Sequence, residues 1–201
     1  MANRPFANPI EQFTAFARRW SPDITEEELE PVRRFRVAKA AKGEYLARPG
    51  DPDAGSAFVL SGLVRQVFYS PDGRERVKSF ATEDTLVCPY RAQLTTSVSD
   101  LGIQALEPTW YLAMASGVVP DLAARHPGWR ELTARLTEAK FIAAELRTRT
   151  LLLEDATERY RSFLAQYAEV APRVPLAQVA AYIGVTPEAL SRIRRRILVA
   201  A

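Results

Sequence analysis

This chain of 201 residues contains only one cysteine and one histidine. Cys88 has no partner for an intramolecular disulfide, and it cannot supply the several thiolates of a zinc or iron–sulfur site. His126, near a predicted helix end, is more typical of a solvent-exposed side chain than of a metal or haem ligand. We therefore expect a protein of a reducing cytoplasm that holds no metal, haem or iron–sulfur cluster.

The sequence also lacks long apolar runs and recognisable catalytic motifs. No stretch is long enough to cross a bilayer, and no secretory leader precedes Pro5. No group of Ser, His and Asp residues and no phosphate loop is present, so we expect neither a membrane partner nor an enzyme. The apolar content of 47% is typical of globular proteins. The length fits one large domain or a domain with a small module.

The charge of the chain is small but uneven. The net charge is +3. Residues 173–201 contain five arginines and one acid, Glu188, which gives this segment +4 and leaves −1 for the rest. A nearly neutral body with a basic terminal segment favours a nucleic-acid-binding module attached to a sensing or assembly part. The alternative is that these arginines only solvate a surface helix.

The basic segment has the pattern of two short helices joined by a tight turn. Gly184 lies at the turn, where positive φ is needed, and the small Ala180 lies where the helices cross most closely. Thr186 is placed to cap the second helix, with Pro187 and Glu188 in its first turn. Apolar residues recur at the spacing that buries one face of each helix. They are Val179, Ile183, Val185, Leu190 and Ile193. This pattern indicates a helix-turn-helix.

The other face of the second helix carries polar and charged side chains suited to DNA. Such side chains bind base edges or phosphates when a helix lies in the major groove. The candidate DNA-binding residues are Thr186, Pro187, Glu188, Ser191, Arg192, Arg195 and Arg196. We therefore expect double-stranded DNA as a partner. The main alternative is a ligand-binding signalling module whose C-terminal helices contact protein, and the basic face argues against it.

Between residues 36 and 114 the pattern changes to short strands separated by turns. Ser70-Pro71-Asp72-Gly73 is a strong turn signal and predicts a hairpin. Many short strands at this spacing are typical of a sandwich or jelly-roll. Before them, residues 25–28 form the capping-box pattern of a helix. The expected fold class is therefore α+β, with an N-terminal β-roll and flanking helices.

A long helix is predicted from Trp129 to about Leu153. Apolar and small residues follow alternating steps of four and three along it, which is the spacing of a coiled-coil seam. These candidate dimer contacts are Leu132, Leu136, Ala139, Ala143, Leu146, Thr150 and Leu153. The length and the regular spacing favour a parallel homodimer. The alternative is a stripe packed onto the chain's own barrel.

Together these features resemble the Crp/Fnr family of bacterial transcription regulators over nearly the whole chain. Residues 58–65, Phe-Val-Leu-Ser-Gly-Leu-Val-Arg, resemble the family's strand–turn–strand motif. Residues 70–75, Ser-Pro-Asp-Gly-Arg-Glu, resemble its hairpin, and residues 158–164 and 173–195 resemble a common C-terminal subtype. The order of these motifs is more specific than any of them alone.

The resemblance implies a cytoplasmic homodimeric regulator of transcription that binds an inverted repeat, with RNA polymerase as a further partner. It implies a cyclic-nucleotide-binding-like domain in residues 1–127, a dimerisation helix in 128–154 and a helix-turn-helix domain in 155–201. By resemblance, Glu188, Ser191 and Arg192 read bases, and this pattern implies a TTGA-type half-site. The chemistry agrees, because arginine can donate two hydrogen bonds to guanine and glutamate can accept one from cytosine.

The family's founding effector is cyclic AMP, but residues 82–102 depart from the cassette that binds it. Cyclic-nucleotide-binding members have a Gly-Glu pair and an arginine that neutralises the phosphate. This sequence has no Gly-Glu pair there, and Ser99 or Asp100 fills the arginine position. We therefore expect no tight binding of cyclic AMP or cyclic GMP. The candidate pocket for an unidentified effector is formed by Tyr90, Arg91, Ser99 and Asp100.

Overall fold

The structure is a computed structural model and describes residues 5–95 and 97–199. Thr96 of the cassette, and residues 1–4 and 200–201 of the predicted end domains, lie outside the described residues. The strands are β1 Arg36–Ala40, β2 Tyr45–Ala47, β3 Ser56–Ser61, β4 Val64–Tyr69, β5 Glu75–Ala81, β6 Thr85–Val87, β7 Leu101–Ala105 and β8 Thr109–Met114. The helices are α1 Pro9–Trp20, α2 Glu26–Leu29, α3 Tyr90–Thr95, α4 Val118–Arg125, α5 Pro127–Leu153, α6 Ala156–Gln166, α7 Leu176–Ile183 and α8 Pro187–Val199.

The strands form two antiparallel four-stranded sheets that face each other. The orders are β1-β8-β3-β6 and β2-β7-β4-β5. Along β8, Leu112 packs into the core beneath the helices, whereas its neighbour Tyr111 packs toward the second sheet. This alternation follows from the period of two in a strand. The predicted α+β β-roll is confirmed, and the hairpin at residues 70–73 joins β4 to β5 as expected.

An aromatic cluster holds α1 and α5 against the first sheet. The Phe13 ring centroid lies 5.0 Å from that of Phe58 on β3 and 5.7 Å from that of Trp129 on α5. All three side chains are fully buried. Burial of such rings stabilises a fold by about 3–5 kcal/mol each when measured by truncation. The N-terminal aromatics therefore belong to the core, as the helical spacing of Phe13 and Phe16 predicts.

The predicted capping box of α2 also anchors the start of α5. Glu28 accepts a hydrogen bond from the Thr25 amide at 2.9 Å, and Thr25 in turn caps the Glu28 amide. The same carboxylate accepts from the Gly128 amide at 2.8 Å. The Thr25 amide lowers the pKa of Glu28 below its ordinary value. A side chain at Gly128 would bring its Cβ within 2.6 Å of Ile24, so this contact requires glycine.

Two helices that the sequence pattern did not reveal, α3 and α4, flank the roll. Helix α4 begins after Gly117, which has a φ of 82°. Pro120 lies in its first turn, where the missing amide hydrogen costs no helical hydrogen bond. The short β-branched run before Pro120 shows no helical period, so the sequence pattern does not predict this helix. Helix α5 then spans Pro127–Leu153, close to the predicted helix, while the division into three domains stays a prediction.

The predicted seam of α5 needs correction in its first half. Leu132 is 0% exposed and Leu136 is 5% exposed, because both pack into the core beneath the helices. They therefore contact their own chain, and they are not available to a partner helix. In the second half, Ala143 is exposed, Leu146 is 60% exposed and Leu153 is 70% exposed. Ala139 and Thr150 are partly exposed.

In the part of the chain that the structure describes, no helix combines the length and apolar character needed to cross a membrane.

Candidate DNA-binding module and its contact with the roll

Helices α7 and α8 form the helix-turn-helix that the sequence predicts. Helix α7 ends at Gly184, whose φ of 79° is left-handed. The amides of Gly184 and Val185 donate to the Ala180 carbonyl at 2.9 and 3.0 Å, which closes the turn. Ala180 is buried. The turn therefore depends on glycine at one position and on a small side chain four residues earlier.

The module packs around an apolar core that includes residues of α6 and, from the roll, Leu63, Val77 and Phe80. Val179 and Ile183 of α7 and Leu190 and Ile193 of α8 are buried, as their spacing predicts. Phe163 of α6 completes this core. A single orientation of α8 relative to α7 follows from this packing.

The outward face of α8 carries the residues that are predicted to bind DNA. Thr186 caps the helix, since its Oγ1 accepts from the Ala189 amide at 3.2 Å. The exposed residues of this face and its cap are Thr186, Pro187, Glu188, Ser191, Arg192, Arg195 and Arg196. Arg194, by contrast, is partly buried. Hydrogen bonds from its own amide and from Thr186 lower the pKa of Glu188, which is therefore ionised at neutral pH.

Arg65 of β4 joins this module to the roll. Its side chain is 4% exposed. Its Nε donates to Gln104 of β7 at 2.8 Å, and its Nη2 donates to Glu75 of β5 at 2.6 Å. Its Nη1 donates to Gln178 of α7. Burial lowers the pKa of Arg65, but the hydrogen bond to Glu75 raises it above the ordinary value, so the guanidinium stays charged.

A second arginine, Arg173, connects the segment before α7 to two loops of the roll. Its Nη2 lies 3.0 Å from Glu83 and 2.5 Å from Glu107, and its Nη1 lies 3.1 Å from Glu83. Glu83 also accepts from the Gly62 amide at 2.7 Å. A two-pronged arginine–carboxylate contact fixes orientation better than a single hydrogen bond. The sequence gives no sign of these contacts, because Arg173 looks like part of the basic tail.

Helix α5 contacts the same module through Arg147. The Arg147 guanidinium stacks over the Tyr182 ring at 3.9 Å and donates to the Tyr182 carbonyl. Burial lowers the pKa of this guanidinium, and its Nη1 has no hydrogen-bond partner among the described residues. Arg159 of α6 reinforces the corner by donating to the carbonyls of Ile183 and Glu154, both at 2.8 Å. The module therefore contacts both the roll and α5.

No protein-family model matches the chain. The transcriptional activator protein Anr of Pseudomonas aeruginosa is 27% identical over 180 residues, covering 83% of this chain and 71% of Anr. A CRP/FNR-family regulator of Thermus thermophilus superposes with a TM-score of 0.65 at 16% identity, covering 83% of this chain and 87% of that one. The c-di-GMP-responsive regulator CLP of Xanthomonas campestris gives 0.71 at 14% identity, covering 88% and 93%. This chain has the Crp/Fnr fold. The resemblance predicted from its sequence is confirmed.

The four predicted effector residues of this Crp/Fnr-type chain do not line one pocket. Arg91 pairs with Asp100 at 2.8 Å on the surface, where both side chains are more than half exposed. Ser99 is buried and exchanges hydrogen bonds with the backbone of Leu101 at 3.0 and 3.1 Å. Only Tyr90 lines the nearby cleft of about 510 Å³ between α3, α4 and α5. Arg91, the arginine within residues 82–102, is therefore already paired with a carboxylate of the same segment.

Lys140 of α5 is a cation in this region that sequence reasoning missed. Its ammonium donates to the Leu86 carbonyl at 3.2 Å and lies 5.7 Å from the centre of the Tyr90 ring. Burial lowers its pKa, and the charge of Lys78 on β5 lowers it further. The thiol of Cys88 is buried here, and burial raises its pKa to about 11, so it is not a reactive thiolate at neutral pH.

Among residues 5–95 and 97–199, no three His, Cys, Asp or Glu side chains are grouped as metal ligands. His126 is partly buried at the start of α5.

Replacing Glu75 with glutamine is expected to destabilise the protein by about 1–3 kcal/mol at pH 7, since Arg65 loses its charged partner. Arg65 lowers the pKa of Glu75. The stabilisation is therefore complete above about pH 4.3, the ordinary glutamate pKa, and is lost as the pH falls through the lower pKa of the folded state. Thermal melting between about pH 7 and pH 3 measures this effect. The difference in Tm between the wild type and Glu75→Gln should become smaller as the pH falls. The exposed Glu27→Gln is the control, and a gap independent of pH would contradict this role.

Proposed function

We propose that this protein is a sequence-specific DNA-binding regulator of transcription that acts as a homodimer on an inverted repeat. The observation that carries the proposal is the exposed, capped and basic face of α8 on a helix-turn-helix with a buried core. The contact of the module with the roll leaves this face open. Anr is named a transcriptional activator, which supports the same role here.

The chemistry of the face suits mixed recognition of bases and phosphates. Arg192 can donate two hydrogen bonds to guanine O6 and N7, and ionised Glu188 can accept one from a cytosine amino group. Ser191 suits either a base or a phosphate. Arg195 and Arg196 lie toward the end of the helix and are assigned to phosphates, which add affinity without sequence information. By this assignment the half-site is of the TTGA type.

Selection from a random duplex pool should enrich an inverted repeat whose half-sites are centred about one turn of DNA apart. On the enriched site, Arg192→Ala is expected to weaken binding by about 10- to 100-fold, because a bidentate guanine contact contributes about 1–3 kcal/mol. Arg195→Ala should weaken binding to all sequences alike and reduce its salt dependence. Gel shifts and fluorescence anisotropy at several salt concentrations measure both effects.

The exposed Arg19→Ala, on α1 far along the chain from the module, is the matched control and should bind like the wild type. Failure of the pool to enrich any sequence would contradict DNA recognition. Equal losses for Arg192→Ala on specific and unrelated DNA would contradict the role assigned to this residue.

The homodimer proposal rests on the second half of α5. Ala143, Leu146, Thr150 and Leu153 continue the seam in steps of three, four and three, and they are exposed or partly exposed. Ile142, which precedes Leu146 by one helical turn and flanks this seam, is 58% exposed. A contiguous apolar stripe on a long helix is costly in water and is typical of an interface. The first half of α5 is fixed in the core, which gives this stripe a rigid base.

Leu146→Glu is expected to convert the dimer to a monomer, because the two facing charges of a symmetric seam would be buried against each other. Light scattering of the purified protein over a range of concentrations measures this change. Thr148→Glu places the same charge on the exposed opposite face of α5 and should leave the dimer intact. A monomeric wild type, or a dimer that survives Leu146→Glu, would contradict the proposed seam.

We further propose that cyclic AMP is not the effector. The Arg91–Asp100 pair and the buried Ser99 leave residues 82–102 without an unpaired arginine to neutralise a cyclic phosphate. Calorimetry with the full chain should show no saturable heat for cyclic AMP or cyclic GMP at concentrations up to about 1 mM. The binding free energy of either nucleotide would then be weaker than about 4 kcal/mol. Saturable binding in the low micromolar range would overturn this proposal.

A further inference from the structure

A second cleft, of about 680 Å³, opens at the edge of the roll formed by β1 and β2. The cassette follows β6, which lies at the other edge of its sheet. The two clefts have only Ser56 in common. This edge cleft therefore lies apart from the predicted effector residues. Its volume is within the range of small-molecule sites, about 300–1,000 Å³.

Small side chains create the depth of the edge cleft. Ala57 of β3 and Ala113 of β8 pair across the first sheet, and Ala47 of β2 pairs with Ile103 of β7 in the second. All four residues line the cleft, and Leu46 joins them. Alanine fills little of the space between two sheets that lie about 10 Å apart. The floor is therefore apolar and recessed between the sheets.

The rim of the edge cleft contains three arginines and one histidine. Arg34, Arg36, Arg125 and His126 line it together with Asp53 and Asp121. Arg34 pairs with Glu30 at 3.4 Å and Arg125 pairs with Asp121 at 3.6 Å, and both ion pairs are exposed. Within residues 5–95 and 97–199, the Arg36 guanidinium has neither an ion pair nor a hydrogen bond.

Arg36 and Tyr111 both line the edge cleft and lie close enough to interact electrostatically. Arg36 pairs with Ala113 in the β1–β8 register, and Tyr111 precedes Ala113 by two residues, so all three share the sheet face that lines the cleft. The Tyr111 hydroxyl makes no hydrogen bond within the described part of the chain. Burial raises its pKa, so it stays protonated and can donate. An uncommitted guanidinium and an uncommitted hydroxyl therefore face the same apolar floor.

We propose that the edge cleft binds a small organic monocarboxylate with an apolar body, whose carboxylate is held by Arg36 and Tyr111. Guanidinium groups match the planar geometry of a carboxylate. The lining aspartates repel a doubly charged phosphate more strongly than a single negative charge. The apolar floor excludes a ligand that is polar throughout, since its buried groups would lack hydrogen-bond partners. This site does not depend on the proposed binding of DNA.

The test uses octanoate and its neutral analogue octanamide on the full isotope-labelled chain. Octanoate has ten non-hydrogen atoms, so a Kd on the order of 0.1–1 mM is expected from typical ligand efficiencies. Nuclear magnetic resonance titration should show saturable shifts of the Ala57, Ile103 and Ala113 amides. Octanamide should bind at least about tenfold more weakly, because it lacks the charge that Arg36 recognises.

Arg36→Gln is expected to weaken octanoate binding at least about tenfold, and Tyr111→Phe should weaken it by a smaller factor. The matched control is Arg74→Gln, an exposed arginine of the β4–β5 turn that pairs with Asp72 at 3.0 Å. Arg36 is exposed at the first position of its strand, so its replacement should leave the Tm unchanged. Ala113→Leu provides a second variant that fills the cleft without removing charge.

Three results would overturn the proposal. The first is the absence of saturable shifts with octanoate. The second is equal binding of octanoate and octanamide, which would show an apolar surface without carboxylate recognition. The third is a set of shifts confined to the cleft beside α3 or to the exposed stripe of α5. Loss of DNA binding in the selection experiment has no bearing on these results, so the two proposals fail separately.

Discussion

The buried guanidinium of Arg65 is the interaction on which the arrangement of the whole chain depends. A buried charge of this kind is tolerated only when acceptors surround it. Here the acceptors come from the hairpin strand β5 (Glu75), from β7 (Gln104) and from the first helix of the DNA-binding module (Gln178). Removing any one of these acceptors leaves part of a buried cation without a partner. The position of the module therefore depends on the roll, although the reading face of α8 does not touch it.

The two halves of helix α5 lie in different environments. Its first half supplies Trp129 and Leu132 to the core, where close packing fixes its direction. Its second half carries an exposed apolar stripe and also holds Arg147 against Tyr182 of the module. A partner helix on the stripe would therefore lie close to the contact that positions the module. In the proposed dimer, the subunit contact and the position of α8 would therefore share one rigid element, which would provide a physical basis for coupling them.

The roll has the Crp/Fnr fold, and its basic side chains differ in whether they are already paired. In the cassette, Arg91 is neutralised by Asp100, and Lys140 is committed to a carbonyl and an aromatic ring. At the opposite edge, Arg36 and Tyr111 have no partner in the part of the chain that the structure describes. Cationic groups bind an anion only when they are not already paired, because exchanging one partner for another gains little. The unpaired groups at the edge cleft are therefore better suited to bind an anion than the paired groups of the cassette.

The features that the sequence determined by itself are local. The turn at Gly184, the cap at Thr186, the capping box at Thr25 and the hairpin at residues 70–73 each depend on the φ preferences and hydrogen bonds of a few neighbouring residues. Tertiary structure decided what depends on distant partners. Arg65 meets Gln178 across 113 residues of chain, and no period of the sequence encodes that contact. The heptad spacing of α5 was regular throughout, yet only the folded roll could decide which half is buried, because spacing shows a face and not what covers it.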